Sequence, residues 1–142
     1  MNSWLRTKLT NDPNGGGFEF GQYLAQRQRY SQILTPGPPD VFVFIDEHEQ
    51  SICDGEFHVR QANPSDELMK DGSYDAGGES DWDKLPADRH NQGANLSFAD
   101  GHAQPRRWQE PKKFHGYDWA AAPGADLRDL RYVQSVIPRL RW

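Results

Sequence analysis

The sequence predicts a small α+β domain in which an antiparallel sheet packs against one or two helices, with long loops between the elements. Three stretches predict it. VFVFIDEH, residues 41–48, opens with an unbroken run of β-branched and aromatic side chains that follows a turn signal. Asp100-Gly101 stands between two short β-like runs, ANLSF at 94–98 and HAQPRRW at 102–108, which is the pattern of a hairpin. Leu127, Leu130, Val133 and Ile137 recur at the spacing that brings side chains to one side of a helix.

A chain of 142 residues is the size of one domain and can bury a modest core. Its apolar fraction of 35% is low, and 13 Gly with 10 Pro commit much of it to turns, so five Trp, five Tyr and seven Phe must supply much of the burial. A formal charge of -5 excludes a generally basic surface for nucleic acid. The charge is uneven, acidic over 65–88 and basic from 103 onward, and two solvated faces explain this more simply than contacts between subunits. The single Cys53 excludes an internal disulfide and a multi-cysteine zinc site. No run approaches the roughly 18 apolar residues of a membrane span, and MNSWLRTKLTNDPNGGG lacks the apolar core of a signal peptide.

In chain order, NDPNGGG at 11–17 reads as a flexible joint, so residues 1–17 form a loose N-terminal segment and 18–142 the domain. Phe20, Tyr23, Leu24, Tyr30 and Leu34 suggest a short helix within 18–34, which TPGPPD at 35–40 ends because its prolines lack backbone donors. Residues 41–48 form the candidate central strand, and EFHVRQ at 56–61 a weaker one paired with it across Cys53-Asp54-Gly55. Residues 62–88 make a long polar excursion at the edge of the sheet. In the hairpin, a type I′ turn centred on Asp100 and Gly101 sets Ala99 opposite His102 and Phe98 opposite Ala103, with Leu96 and Phe98 facing the core and Pro105 marking an edge. A helix over 126–138, with Asp126 as its N-cap or first-turn charge and Pro138 at its end, docks on the sheet.

His90, Asp100 and His102 have the chemistry of an open zinc site, although an Asp at a turn centre ordinarily faces solvent, which favours a structural turn. His48 could add a ligand but reads as a solvent-facing strand end. Asp71, Ser73 and Asp75 space oxygen donors as a calcium loop does, with Glu79, Asp81 and Asp83 nearby; Ala76 and Trp82 break the EF-hand pattern. His90 with Asp88 or Asp100 could form an acid/base pair. Ser97 and Cys53 have no recognisable nucleophile frame, and the glycines at 15–17 lack the Lys-Ser or Lys-Thr of a phosphate loop.

RHNQGANLSFADGHA has His90, nine intervening residues and then Asp100-Gly101, together with Arg89, Gly93, Asn95, Phe98 and His102. The stretch resembles the prepilin-type processing-associated H-X9-DG domain of type IV pilin-like and type II secretion pseudopilin-like proteins; 41–57 and 126–138 also look like the segments flanking that motif. The resemblance implies a pilin-like globular domain that assembles with itself or with other pilin-like subunits at a bacterial envelope or outside the cell, in protein transport rather than catalysis. Members carry an N-terminal processing site and a long apolar helix, which this sequence does not show, so self-association or altered N-terminal packing is expected. Related pseudopilins bind calcium in a loop, which favours calcium over zinc here, with no cofactor certain. In this reading Asp100-Gly101 sets the turn, while His90 bonds the hairpin and fixes the acidic loop. The expectation is a non-catalytic assembly subunit. Its rivals are a metal-dependent hydrolase built on His90, Asp100 and His102, and a module that binds polysaccharide or an envelope protein through exposed Trp82, Trp108 or Trp119.

Overall fold

Apolar runs too short to close a core singly are gathered around one strand. The computed structural model describes residues 30–34, 36–59 and 80–137. The fold is α+β: strands β1 (Phe42–Ile45), β2 (Asp81–Trp82), β3 (Gly93–Phe98), β4 (Ala103–Arg107) and β5 (Trp119–Ala120) precede one helix, α1 (Ala125–Ser135). A three-stranded antiparallel sheet has the order β1-β3-β4, and β2 pairs with β5 in a second ribbon. Short 3-10 turns cover Tyr30–Gln32 and Pro38–Asp40. The expected flexible segment at 1–17, most of the expected 18–34 helix and Pro138 lie outside the described residues. Among those described, no helix is long and apolar enough to cross a membrane.

The central strand is β3, not the 41–48 run. Alternation explains β3: Ala94, Leu96 and Phe98 are buried while Asn95 is exposed, so one face meets the core. β1 lies beside it with Phe42 opposite Phe98 and Ile45 opposite Leu96, and an irregularity between Phe42 and Phe44 turns Phe44 outward, opposite Ser97. The expected hairpin of β1 with 56–61 does not form over the described part of that stretch. Instead the Ser51 backbone N–H closes onto the His48 carbonyl (2.9 Å), and residues 85–87 take the place beside 46–48. His48 N–H donates to the Leu85 carbonyl (2.9 Å) and Ala87 N–H to the Asp46 carbonyl (2.8 Å), around a bridge between Glu47 and Pro86. Pro86 has no donor with which to extend that pairing. Phe57 and Val59 still reach the core, with His58 between them half-buried, so the alternation was real.

The β3-β4 hairpin is as placed by the sequence, but one residue out of the expected register. Ser97 faces Ala103 and Leu96 faces Gln104. The loop has three residues, Ala99-Asp100-Gly101. The Gly101 N–H donates to the Phe98 carbonyl and the Phe98 N–H to the His102 carbonyl, each at 2.9 Å, and Gly101 takes φ 95°. This is a type I turn followed by a left-handed residue. A type I′ turn needs positive φ at both centres, and of the two only Gly101 has it. The slip lays the His102 ring flat on Phe98, centroids 4.4 Å apart and planes within 2°.

The helix is as expected at its core. Leu127, Leu130, Val133 and Ile137 are all buried with Phe42, Leu96, Phe98, Trp82 and Trp108 in one cluster. Gly124, at φ 98°, turns the chain into α1. Arg106 on β4 lies over the Tyr132 ring of α1 at 3.7 Å, joining hairpin and helix at their rim.

Gly93 opens β3 under the tightest constraint in the hairpin: a Cβ there would lie 2.4 Å from the Arg106 carbonyl oxygen and 3.2 Å from that of His90. We expect Gly93→Ala to cost roughly 1–3 kcal/mol in urea denaturation because two backbones must part. Gly55→Ala, where a Cβ meets nothing within 4 Å, should change stability by less than about 0.5 kcal/mol.

Candidate functional site

The residues of the H-X9-DG stretch divide between the two ends of β3. At the start, His90 Nε2 lies 3.2 Å from Asp46 Oδ2, the same oxygen that accepts the Asn95 backbone N–H (3.1 Å) and side-chain amide (3.0 Å). Arg89 adds an ion pair to Glu49 (3.2 Å) and a bond to the Glu47 carbonyl (3.5 Å). Arg89, His90 and Asn95 therefore fasten the segment after β1 to the start of the hairpin. At the other end, Asp100 Oδ1 accepts the His102 backbone N–H (3.1 Å) and sits 2.6 Å from His102 Nδ1. These bonds hold the Asp100 carboxyl below its ordinary value of 3.8, the backbone N–H contributing most.

The six-residue β3 keeps these ends apart, on the order of 20 Å at the usual strand rise. His90, Asp100 and His102 thus do not form the zinc ligand set weighed against a structural turn, nor do His90 and Asp100 form an acid/base pair. Among the described residues no group of three or more His, Cys, Asp or Glu side chains could hold a metal ion. Asp71, Ser73, Asp75 and Glu79 of the expected calcium loop lie outside the described residues; Asp81 is in β2 and Asp83 follows it. His48, expected at the solvent, is buried, stacked on Phe114 at 6.3 Å with Nδ1 accepting the Gln50 N–H. Its neighbour Ser51 pulls that turn inward by bonding the His48 and Leu85 carbonyls.

No family model, curated protein or solved structure matches this chain.

A second constellation went unnoticed in the sequence. Lys112 is buried, and its Nζ donates to Asp126 Oδ1 (2.7 Å) and Asp129 Oδ2 (2.8 Å). The ammonium also lies 5.1 Å from the Trp82 ring centre and 5.7 Å from that of Trp108. Two carboxylates against one ammonium leave a negative charge, which donors offset: Trp82 Nε1–H and the Ala122 N–H reach Asp126, and the Gln109 and Glu110 N–H groups reach Asp129. Trp82 and Trp108, 1% and 2% exposed, are walls of this cage, so with the half-buried Trp119 they form no shared binding platform. The signal was in the helix: Asp126 and Asp129 share the buried stripe of Leu130 and Val133 at i, i+3, i+4 and i+7. Carboxylates on such a stripe require a buried cation.

A cavity of about 310 Å³ opens beside the cage, lined by Leu85, Lys112, His115, Trp119, Ala122 and Asp126 among others. Lys112 and Asp126 bind each other there, so what the arrangement does chemically is to clamp the 108–112 segment onto α1.

Asp129→Ala should cost about 3–5 kcal/mol in chemical denaturation, because it takes one of two carboxylates from the buried Lys112 ammonium and leaves the Gln109 and Glu110 N–H donors unpaired. Lys112→Met should cost at least as much, because it leaves both Asp126 and Asp129 buried without their cation. Asp100 sets a pH dependence. With its folded value depressed, its contribution is complete above the unfolded value of 3.8 and is lost as pH falls through the folded value. The difference in Tm between wild type and Asp100→Asn should therefore be constant above about pH 5 and shrink as pH is lowered toward 2.

Proposed function

We propose that this chain is a non-catalytic assembly subunit resembling the globular part of a pseudopilin or type IV pilin, acting through protein contacts in a bacterial envelope apparatus. The observation that carries the reading is the outer face of the three-stranded sheet. Phe44 is 53% exposed there, in a shallow groove of about 190 Å³ lined by Ile45, Asn95, Ser97 and Ala103. A large aromatic ring held outward on the strand beside β3 is expensive to leave in water and is the usual anchor of a protein contact. Among the described residues β4 is the edge of the sheet that is left for strand addition, since the outer side of β1 meets the Val136 carbonyl at Phe42 and residues 85–87 beyond Ile45.

The motif supports the same reading. His90, Asn95 and Arg89 bind the segment after β1, and Asp100-Gly101 shapes the loop, so its polar groups act as architecture. Such a brace holds β1 and β3 in fixed register beside Phe44. The partner that fits is a second copy of this chain or a pilin-like subunit with the same outward ring, since apposed Phe44 side chains would cover each other.

Sedimentation velocity across protein concentration tests this. Wild type should show a rising weight-average mass, and Phe44→Glu should hold it at the single-chain value with an unchanged far-UV circular dichroism spectrum. Association that Phe44→Glu leaves intact would sink the reading.

A further inference from the structure

Away from the sheet face, the chain's only thiol meets a buried amine. Cys53 is exposed, while Lys84 is 5% exposed. Lys84 Nζ lies 2.7 Å from Cys53 Sγ, in direct contact with it. Its other partners are farther: the Ser51 carbonyl at 3.3 Å, Asp54 Oδ1 at 3.4 Å and Glu47 Oε1 at 3.7 Å. The stem of the lysine is fixed by burial, with Tyr117 flanking its amine at 5.7 Å. The nitrogen is therefore held at the sulfur, whose other side is open to solvent.

We propose that Cys53 and Lys84 are an oxidative modification site, at which a peroxide converts the thiol to a sulfenic acid and the lysine nitrogen then closes a covalent bond to sulfur. In the first step the sulfur loses two electrons to the peroxide O–O bond, giving Cys53–SOH and water or an alcohol. In the second, the Lys84 ammonium passes one proton to the Glu47 carboxylate and its lone pair attacks sulfur. The S–O bond breaks, a further nitrogen proton leaves with the hydroxide as water, and a sulfenamide remains.

The neighbours suit these steps. Burial opposes the charge on Lys84, but the contact with Cys53 and the carboxylates of Glu47 and Asp54 outweigh it and keep the ammonium above its ordinary value. The amine therefore needs an acceptor for its proton. Glu47, whose carboxyl burial pushes above its ordinary value, is that acceptor, and the Ser51 hydroxyl holds it in place at 3.0 Å. The link would tie the 51–54 turn to the chain 31 residues on, so oxidation would brace the loop that packs beside the bridge between Glu47 and Pro86.

The test treats the full chain with hydrogen peroxide and maps tryptic peptides by mass spectrometry. The expected product is a Cys53–Lys84 cross-linked pair lighter than the sum of its parts by about 2 Da, uncut after Lys84, reversed by dithiothreitol, and accompanied by a rise in Tm that reduction abolishes. Cys53→Ser should lose the pair and the Tm rise while folding normally. Lys84→Arg should lose the pair yet leave a sulfenic acid that dimedone traps, and Glu47→Gln should slow closure at least several-fold. Conversion of wild-type Cys53 to sulfinic acid or to a disulfide between chains, with no cross-link to Lys84, would overturn the proposal.

Discussion

The fold depends on one buried ammonium. Lys112 sits between two tryptophan rings and bonds two carboxylates that α1 presents one turn apart. A charge removed from water is tolerable only when its bonding is complete, and here every member of the cage finds a partner in another segment. Asp126 takes the Trp82 indole from β2, Asp129 takes the backbone after Trp108, and the Lys112 backbone N–H reaches Asp88, just before the H-X9-DG stretch. Elements separated widely in sequence thus share one polar knot. In a chain with a low apolar fraction, that knot gives the small core a single arrangement as well as cohesion.

The H-X9-DG residues work outward from the knot. Trp108, at the end of β4, donates its indole N–H to the Ala87 carbonyl (2.7 Å) and is clamped by the backbone and side chain of Gln92. The turn before β3 is thereby fixed from inside by a core tryptophan and from outside by His90 and Asp46. Asn91 and Gln92 hold left-handed backbone, at φ 54° and 60°, which such bracing on two sides sustains. Gly93 then lets β4 approach without a Cβ in the way. The fixed spacing of the motif is the length of β3 plus its two turns, so a histidine and an aspartate that read as a pair serve different ends of one hairpin.

The same rigidity defines what the surface offers. A sheet braced at both ends of its central strand carries Phe44 outward on an edge strand, and the turn after β1 carries an exposed thiol against a buried amine. One suits contact between subunits and the other suits chemistry with oxidants. Both follow from Ser51, Arg89 and Asp46 pinning the segment that connects them.

Local chemistry in the sequence was enough for the α+β class, the place of the β3-β4 hairpin, the apolar stripe of α1 and the structural role of Asp100-Gly101, because hairpin loops and helix faces are set by residues close in the chain. The alternation of Phe57 and Val59 was legible in the same way, and both line the core. Tertiary structure alone decided that β3 rather than β1 is central, that residues 85–87 take the place expected for 56–61, and that the hairpin loop is one residue longer than expected. Each depends on which distant backbone supplies a hydrogen-bond partner. It alone also brought Lys112 to Asp126 and Asp129, and Lys84 to Cys53. A charged side chain far from its partner in sequence looks like any solvated surface residue until burial removes the water that would otherwise satisfy it.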